Sequence, residues 1–171
     1  MTEPWRWGLA TLAAVLVAIS GWAVWWHVQG LAGGPLQVLH GGQMTVPGKI
    51  GQPYVWSTIV LSNPTEQTLT IDDVTVQTGP LSVKRLALGA PNHWPVGGVY
   101  PWPPTGSYPG SLLPPHDVAL TRHGATQIFG ELVMARPGRY PIGSAVTVDY
   151  HIGVVSYHKE AHLDADMLYA K

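Results

Sequence analysis

Histidine is the residue type whose abundance first points to chemistry. The chain of 171 residues holds eight histidines and four methionines but no cysteine. Seven of the histidines follow the apolar start of the chain: His40, His93, His116, His123, His151, His158 and His162. Imidazole and thioether ligate copper, and imidazole suits zinc, so His116, His123, His151, His158 and His162 form a candidate metal set. The lack of cysteine excludes thiolate zinc sites, iron–sulfur clusters and blue-copper centres. The spacing does not gather the set at one point. His158 and His162 would share a face of a strand, yet stand about 13 Å apart along it. The competing reading is surface and loop histidines in a lysine-poor chain, with no cofactor.

Aromatic side chains form the second candidate. Residues 90–115 carry prolines at 91, 95, 101, 103, 104, 109, 114 and 115, interleaved with His93, Trp94, Tyr100, Trp102 and Tyr108. Proline at that density excludes a helix and a central strand, so the segment is expected to be a long loop or flap. Loops of this length are usually functional or else disordered. Trp94, Tyr100, Trp102 and Tyr108 are candidate binding residues. Their rings could grip a protein partner, stack on carbohydrate or cell-wall sugars, or lie on a membrane. They could equally fold back and cap the domain.

Catalysis finds little to work with. No nucleophile elbow surrounds any serine. Glu131 and Asp149 could be posed as a carboxylate pair, but each falls at an outward position of an alternating strand. Asp72-Asp73 marks a bulge rather than a cation site, because calcium needs a denser set of oxygen ligands. The expectation is a protein that is not an enzyme.

The elements that must carry these residues read as strands. Charged residues make up 11% and hydrophobic residues 46%, with 20 glycines and 16 prolines, which is the composition of an ordered, turn-rich β protein. A net charge of -1 and a pI near 6.7 give nothing to attract a phosphate backbone, so nucleic acid is not an expected partner. Past residue 34 the hydrophobicity alternates with the strand period. Short strands are expected at 35–39 and 43–46, then longer ones at 54–62, 68–76, 81–88, 126–134, 144–150, 152–157 and 163–169. In the strand at 54–62, Val55, Ile59 and Leu61 are expected on one face and Trp56 and Val60 on the other. Apolar parity switches at Asp72-Asp73 and again at Lys84-Arg85, and a β-bulge accounts for each. In the last strand Leu163, Ala165, Met167 and Tyr169 are expected inward, and Asp164 and Asp166 outward. About seven to nine short strands with regular turn signals predict an all-β, antiparallel sandwich.

Two stretches resemble the immunoglobulin-like domains common in bacterial envelope proteins. They are VLSNPTEQTLTIDDVTV and PGRYPIGSAVTVDY, and within the second Tyr140 resembles a tyrosine corner. The resemblance implies an Ig-like fold and a place outside the cytoplasm, and no activity.

The N-terminal segment supplies the address. Residues 8–28 contain no Asp, Glu, Lys or Arg, and at 1.5 Å rise about 21 helical residues cover the ~30 Å hydrocarbon core. Trp5 and Trp7 precede the run, and Trp22, Trp25 and Trp26 crowd its end, as membrane-interface anchors do. Arg6 before the run favours an N-terminus inside and a C-terminal domain outside. The rival is a signal peptide cut after Ala32, since Gly30-Leu31-Ala32 puts small residues where a peptidase reads them. The expected organisation is a short cytoplasmic piece at 1–7, a transmembrane signal anchor at 8–28, a linker at 29–34 and a sandwich at 35–171.

The function expected from this layout is binding rather than turnover. The chain reads as a single-pass cell-membrane protein. Its outer domain would serve as an interaction module or accessory subunit, with the bilayer and other membrane or envelope proteins as partners. The alternatives are copper or zinc handling through the histidines, and sugar binding through the aromatic loop.

Overall fold

The computed structural model describes residues 33–92, 97–101 and 112–170, together with residues 15 and 20. Apart from residues 15 and 20, the expected membrane anchor at 8–28 lies outside the described residues, as do Trp5, Trp7, Trp22, Trp25 and Trp26. Among those described, no helix is long and apolar enough to cross a membrane.

The described chain folds into two packed layers of strands. The first layer runs in the order β1 (Gln37–His40), β3 (Pro53–Ser62), β8 (Ala125–Val133), β5 (Ser82–Leu88), with β6 (Val99–Pro101) also paired to β3. The second joins β7 (Val118–Leu120), β4 (Leu69–Val76), β10 (Ala145–Ile152) and β11 (Val155–His162). Its upper part is formed by β9 (Gly138–Ile142), β12 (Asp166–Ala170) and β2 (Thr45–Pro47), which runs parallel to β12. The two parts make one layer, because β9 leads straight into β10 and Leu163 N–H donates to Ser144 O across the join (3.1 Å). An outer order of first, second, fifth and fourth long strands, facing a sheet made of the third and the last two, is the Ig-type arrangement. Tyr140 completes it: its hydroxyl donates to Arg136 O at 2.6 Å, four residues upstream, the tyrosine corner the sequence suggests.

Three bulges decide which residues meet in the core. Two fall where parity switches in the sequence, at Asp72 on β4 and at Lys84 on β5. The third, in β3, corrects the expected faces. Register passes from Trp56↔Gly130 to Ile59↔Ile128, so Ser57 and Thr58 together oppose Phe129. The extra residue puts Trp56, Ile59 and Leu61 in the core cluster together. Val55 points to the other face and is buried there as well. The stretch 152–157 is likewise not one strand. β10 ends at Ile152, a two-residue Gly153-Val154 turn follows, and β11 begins at Val155. Gly153 takes a positive φ of 59°, which a tight hairpin of the primed type needs at its first position. Val83, which shares the parity of the buried Leu81, is exposed beside the Lys84 bulge.

One end of the sandwich holds the N-terminal stretch. Leu36 is buried in the core, and its N–H donates to the Tyr150 hydroxyl (3.1 Å), which in turn donates to Gly33 O (2.8 Å). Burial pushes the Tyr150 pKa above its ordinary value, so the hydroxyl keeps the proton it donates. Gly34 has φ of 63°, and a Cβ there would collide with the Tyr150 hydroxyl and the Tyr157 ring. Tyr157 stacks on Tyr150 with centroids 5.1 Å apart. This is the lower end, where β3 finishes at Ser62. The upper end, where β3 begins at Pro53, carries the β2–β3 and β8–β9 turns.

Candidate binding surface on the second layer

A single buried carboxyl sets the geometry of the upper end. Asp166, at the start of β12, is fully buried. Its Oδ2 accepts the Trp56 indole N–H at 2.9 Å and the Thr58 hydroxyl, with His40 Nε2 3.3 Å away. Its Oδ1 accepts Met44 N–H at 2.9 Å. Those donors come from β1, β3 and the crossover between β1 and β2, so one side chain ties the first layer to the second. A buried polar group is tolerated only when its bonds are made, and here each carboxyl oxygen has a donor.

This corrects the expected phase of β12. Asp166, Leu168 and Ala170 are buried, while Met167 and Tyr169 face outward. Alternation alone could not decide the matter, because Met167/Tyr169 and Leu168/Ala170 are similarly apolar, and the aspartate suggested the wrong side. A usable signal was present: a tryptophan on a central strand needs an acceptor for its indole N–H. Trp56 had to meet one.

With β12 fixed this way, its outward side chains line up with their neighbours. Met167 lies between Thr45 of β2 and Pro141 of β9, and Tyr169 between Pro47 and Arg139. Arg139 faces outward because Tyr140 beside it is held inward by its corner bond. Two open hollows flank Tyr169. One of about 530 Å³ is lined by Gln43, Thr45, Arg139, Met167 and Tyr169. The other, of about 490 Å³, is lined by Pro47, Gly48, Lys49, Ile50 and Tyr169. The β2–β3 turn that carries Lys49 is pinned by three bonds: Gly48 N–H to Tyr169 O (2.7 Å), Lys49 N–H to the Tyr54 hydroxyl (2.8 Å) and Gly51 N–H to Met134 O (2.9 Å). Arg139 on β9 and Lys49 in the β2–β3 turn do not stand out in the sequence, because single cations carry no motif.

The candidate metal ligands are placed elsewhere. His151, His158 and His162 share the outward face of the lower second layer; His116 and His123 flank β7. Four of the five face carboxyl groups: His151 Nδ1 lies 2.8 Å from Asp72, His158 Nδ1 2.6 Å from Asp149, His116 Nδ1 2.9 Å from Asp117 and His123 Nε2 3.1 Å from Glu66. The hydrogen bonds to Asp149 and then to Glu160 hold the His158 pKa above its ordinary value. Among the described residues, no three His, Asp or Glu side chains group in a way that could hold a metal ion. His162 lines a separate hollow with Glu160 and Thr147.

Glu131 and Asp149 are not brought together. Glu131 pairs with Arg85 at 2.6 Å on the first layer, and Asp149 with His158 on the second. Of the aromatic candidates, Trp94, Trp102 and Tyr108 lie outside the described residues, and Tyr100 pairs through its backbone with Val55.

No family model and no curated protein matches the sequence. Among solved structures it is similar to PapD-like domain 7 of human CEP192, at 10% identity and TM-score 0.43, covering 80% of this chain and 85% of that one. A family 123 glycoside hydrolase from Clostridium perfringens gives 10% and 0.43, covering 80% of this chain and 27% of the other. The adhesin CfaE of enterotoxigenic E. coli gives 10% and 0.35, covering 81% and 49%. The chain thus spans about a quarter of the hydrolase and half of the adhesin. No activity follows from likeness at this level.

Proposed function

We propose that the protein is a membrane-tethered Ig-like head that works by binding, as an accessory subunit of a membrane or envelope complex, through the Tyr169 face. One observation carries this reading. The residues that follow the apolar segment are locked into the lower end by Tyr150, whereas the Tyr169 face stands at the upper end, ~30 Å away along β3. From residue 28 to residue 33 the chain can reach at most about 18 Å. A bilayer holding residues 8–28 would therefore lie close to the lower end and leave the upper face pointing away from it. Tethering of this kind raises the effective concentration of the head toward neighbouring membrane proteins.

Composition favours a protein partner for that face, since Tyr, Met and Arg are the residues enriched at interface centres. The test is purification of the full-length protein from its own membrane in mild detergent. A stoichiometric companion is expected, recovered less from Tyr169→Ala than from the unaltered chain. A lone monomer with no companion, or a protein that leaves the membrane without detergent, would contradict the proposal.

A further inference from the structure

The two ends of the head differ in charge. Among the described residues, Lys49, Lys84, Arg85, Arg136 and Arg139 lie in the upper part, where the half-buried Glu131 is engaged by Arg85. The exposed Asp164 sits at the join of the two parts, between β11 and β12. Glu66, Asp72, Asp73, Asp117, Asp149 and Glu160 lie in the lower part, with Arg122 and Lys159 as its cations. Lys49, Arg136 and Arg139 are exposed, and none makes an ion pair with another described residue. The hollows beside Tyr169 have no carboxylate in their walls.

We infer that the Tyr169 face recognises an acidic segment of a partner polypeptide. The inference rests on the proposal that this face is the binding surface, and it names the partner's chemistry. Arg139 and Lys49 stand on either side of Tyr169, so a bound chain would meet a cation in each hollow and aromatic or aliphatic surface between them. Met167, Ile50 and Pro47 supply that apolar surface, which selects a carboxylate-bearing chain with apolar side chains over a bare polyanion. The pinned β2–β3 turn holds Lys49 in place before binding, which lowers the ordering cost of association. Complementary charge of this kind speeds encounter and excludes basic partners. The lipid of the tethering membrane is the wrong occupant, because the face lies at the far end of the sandwich from residue 33.

The test uses the full-length protein in neutral detergent, titrated into a fluorescein-labelled peptide of four Glu-Glu-Leu repeats. Binding is read by anisotropy at low salt. The peptide should bind, weaken as salt is raised, and bind about tenfold or more weakly to the double variant Lys49→Glu with Arg139→Glu. Tyr169→Ala should weaken it too, and Asp149→Lys at the lower end should not. Unaltered urea midpoints would confirm that the variants are folded. The inference is overturned if no binding is seen up to about 1 mM. It is also overturned if the double variant binds as well as the unaltered protein, or if a Lys-Lys-Leu peptide binds equally. Arg139-dependent capture by phosphatidylserine vesicles, or Arg139-dependent self-association, in place of peptide binding would overturn it as well. A missing companion in the membrane purification would remove the accessory-subunit proposal and leave the peptide result standing.

Discussion

The upper and lower halves of the second layer's outer face are built on strands that run on from one another, β9 into β10 and β11 into β12, and have opposite chemistry. In the lower half, His158 of β11 meets Asp149 of β10, and His151 of β10 meets Asp72 of β4, so the polar groups pair with one another across strands. In the upper half, Arg139 and Lys49 border open hollows around an aromatic ring. A face whose charges are already paired gains less from a partner, because a new pair there forms only by displacing one that exists. Cations without an internal partner are free to pair with a second molecule. Asp166, near the boundary, decides which side chains of β12 the upper half presents.

Asp166 is therefore where the contrast breaks most readily. Asp166→Ala leaves the Trp56 indole N–H, the Thr58 hydroxyl and Met44 N–H without their buried acceptor. The expected loss is ~3–5 kcal/mol, a large part of the 5–15 kcal/mol typical of a domain, read as a lowered urea midpoint in tryptophan fluorescence. A midpoint equal to that of the unaltered protein would mean that Asp166 does not hold β12. Gly34→Ala comes next. It puts a Cβ on a left-handed backbone and into the Tyr150 hydroxyl, for an expected loss of ~1–3 kcal/mol in the same melt. A neutral result there would detach the lower end from the stretch before residue 36. Tyr140→Phe deletes the bond to Arg136 O that keeps Arg139 facing outward, and should lower stability by ~1 kcal/mol.

The smallest effect is a titration. His158 is solvent-exposed, and its carboxylate neighbours raise its pKa in the folded state. Its favourable contribution is complete below the ordinary histidine value of ~6.5 and is lost as pH rises through the raised folded value. The side-chain NMR titration of His158 should lie above the ordinary range, and Asp149→Asn should bring it back down. No change in Asp149→Asn would show that the lower half is not paired as described. The buried counterpart, His40 beside Asp166, uses the same two residue types for a different end. There the side chains are 7% and 0% exposed, against 58% and 50% for His158 and Asp149, so one pair fixes the fold and the other responds to solvent.

The strands were legible in the sequence where alternation was unbroken, as in Val146, Val148 and Tyr150, all of which reach the core. The bulges at Asp72 and Lys84 were legible because charged residues interrupt an apolar parity there. The bulge at Ser57-Thr58 was not, because every residue from Tyr54 to Ile59 is buried and periodicity vanishes when both faces are covered. Asp166 misled for a different reason. A carboxyl reads as outward until its donors are known, and these come from residues 44, 56 and 58, more than a hundred positions away. The binding face inherited that error, since Tyr169 and Met167 were assigned to the core.

Site-specific photo-crosslinking in the native membrane tests the central claim most directly. A photoreactive phenylalanine would be placed at position 169 of the full-length protein and, separately, at position 158. The account predicts a discrete adduct with a companion protein from position 169 and none from position 158. An adduct from position 158 alone, or from neither position, would contradict it.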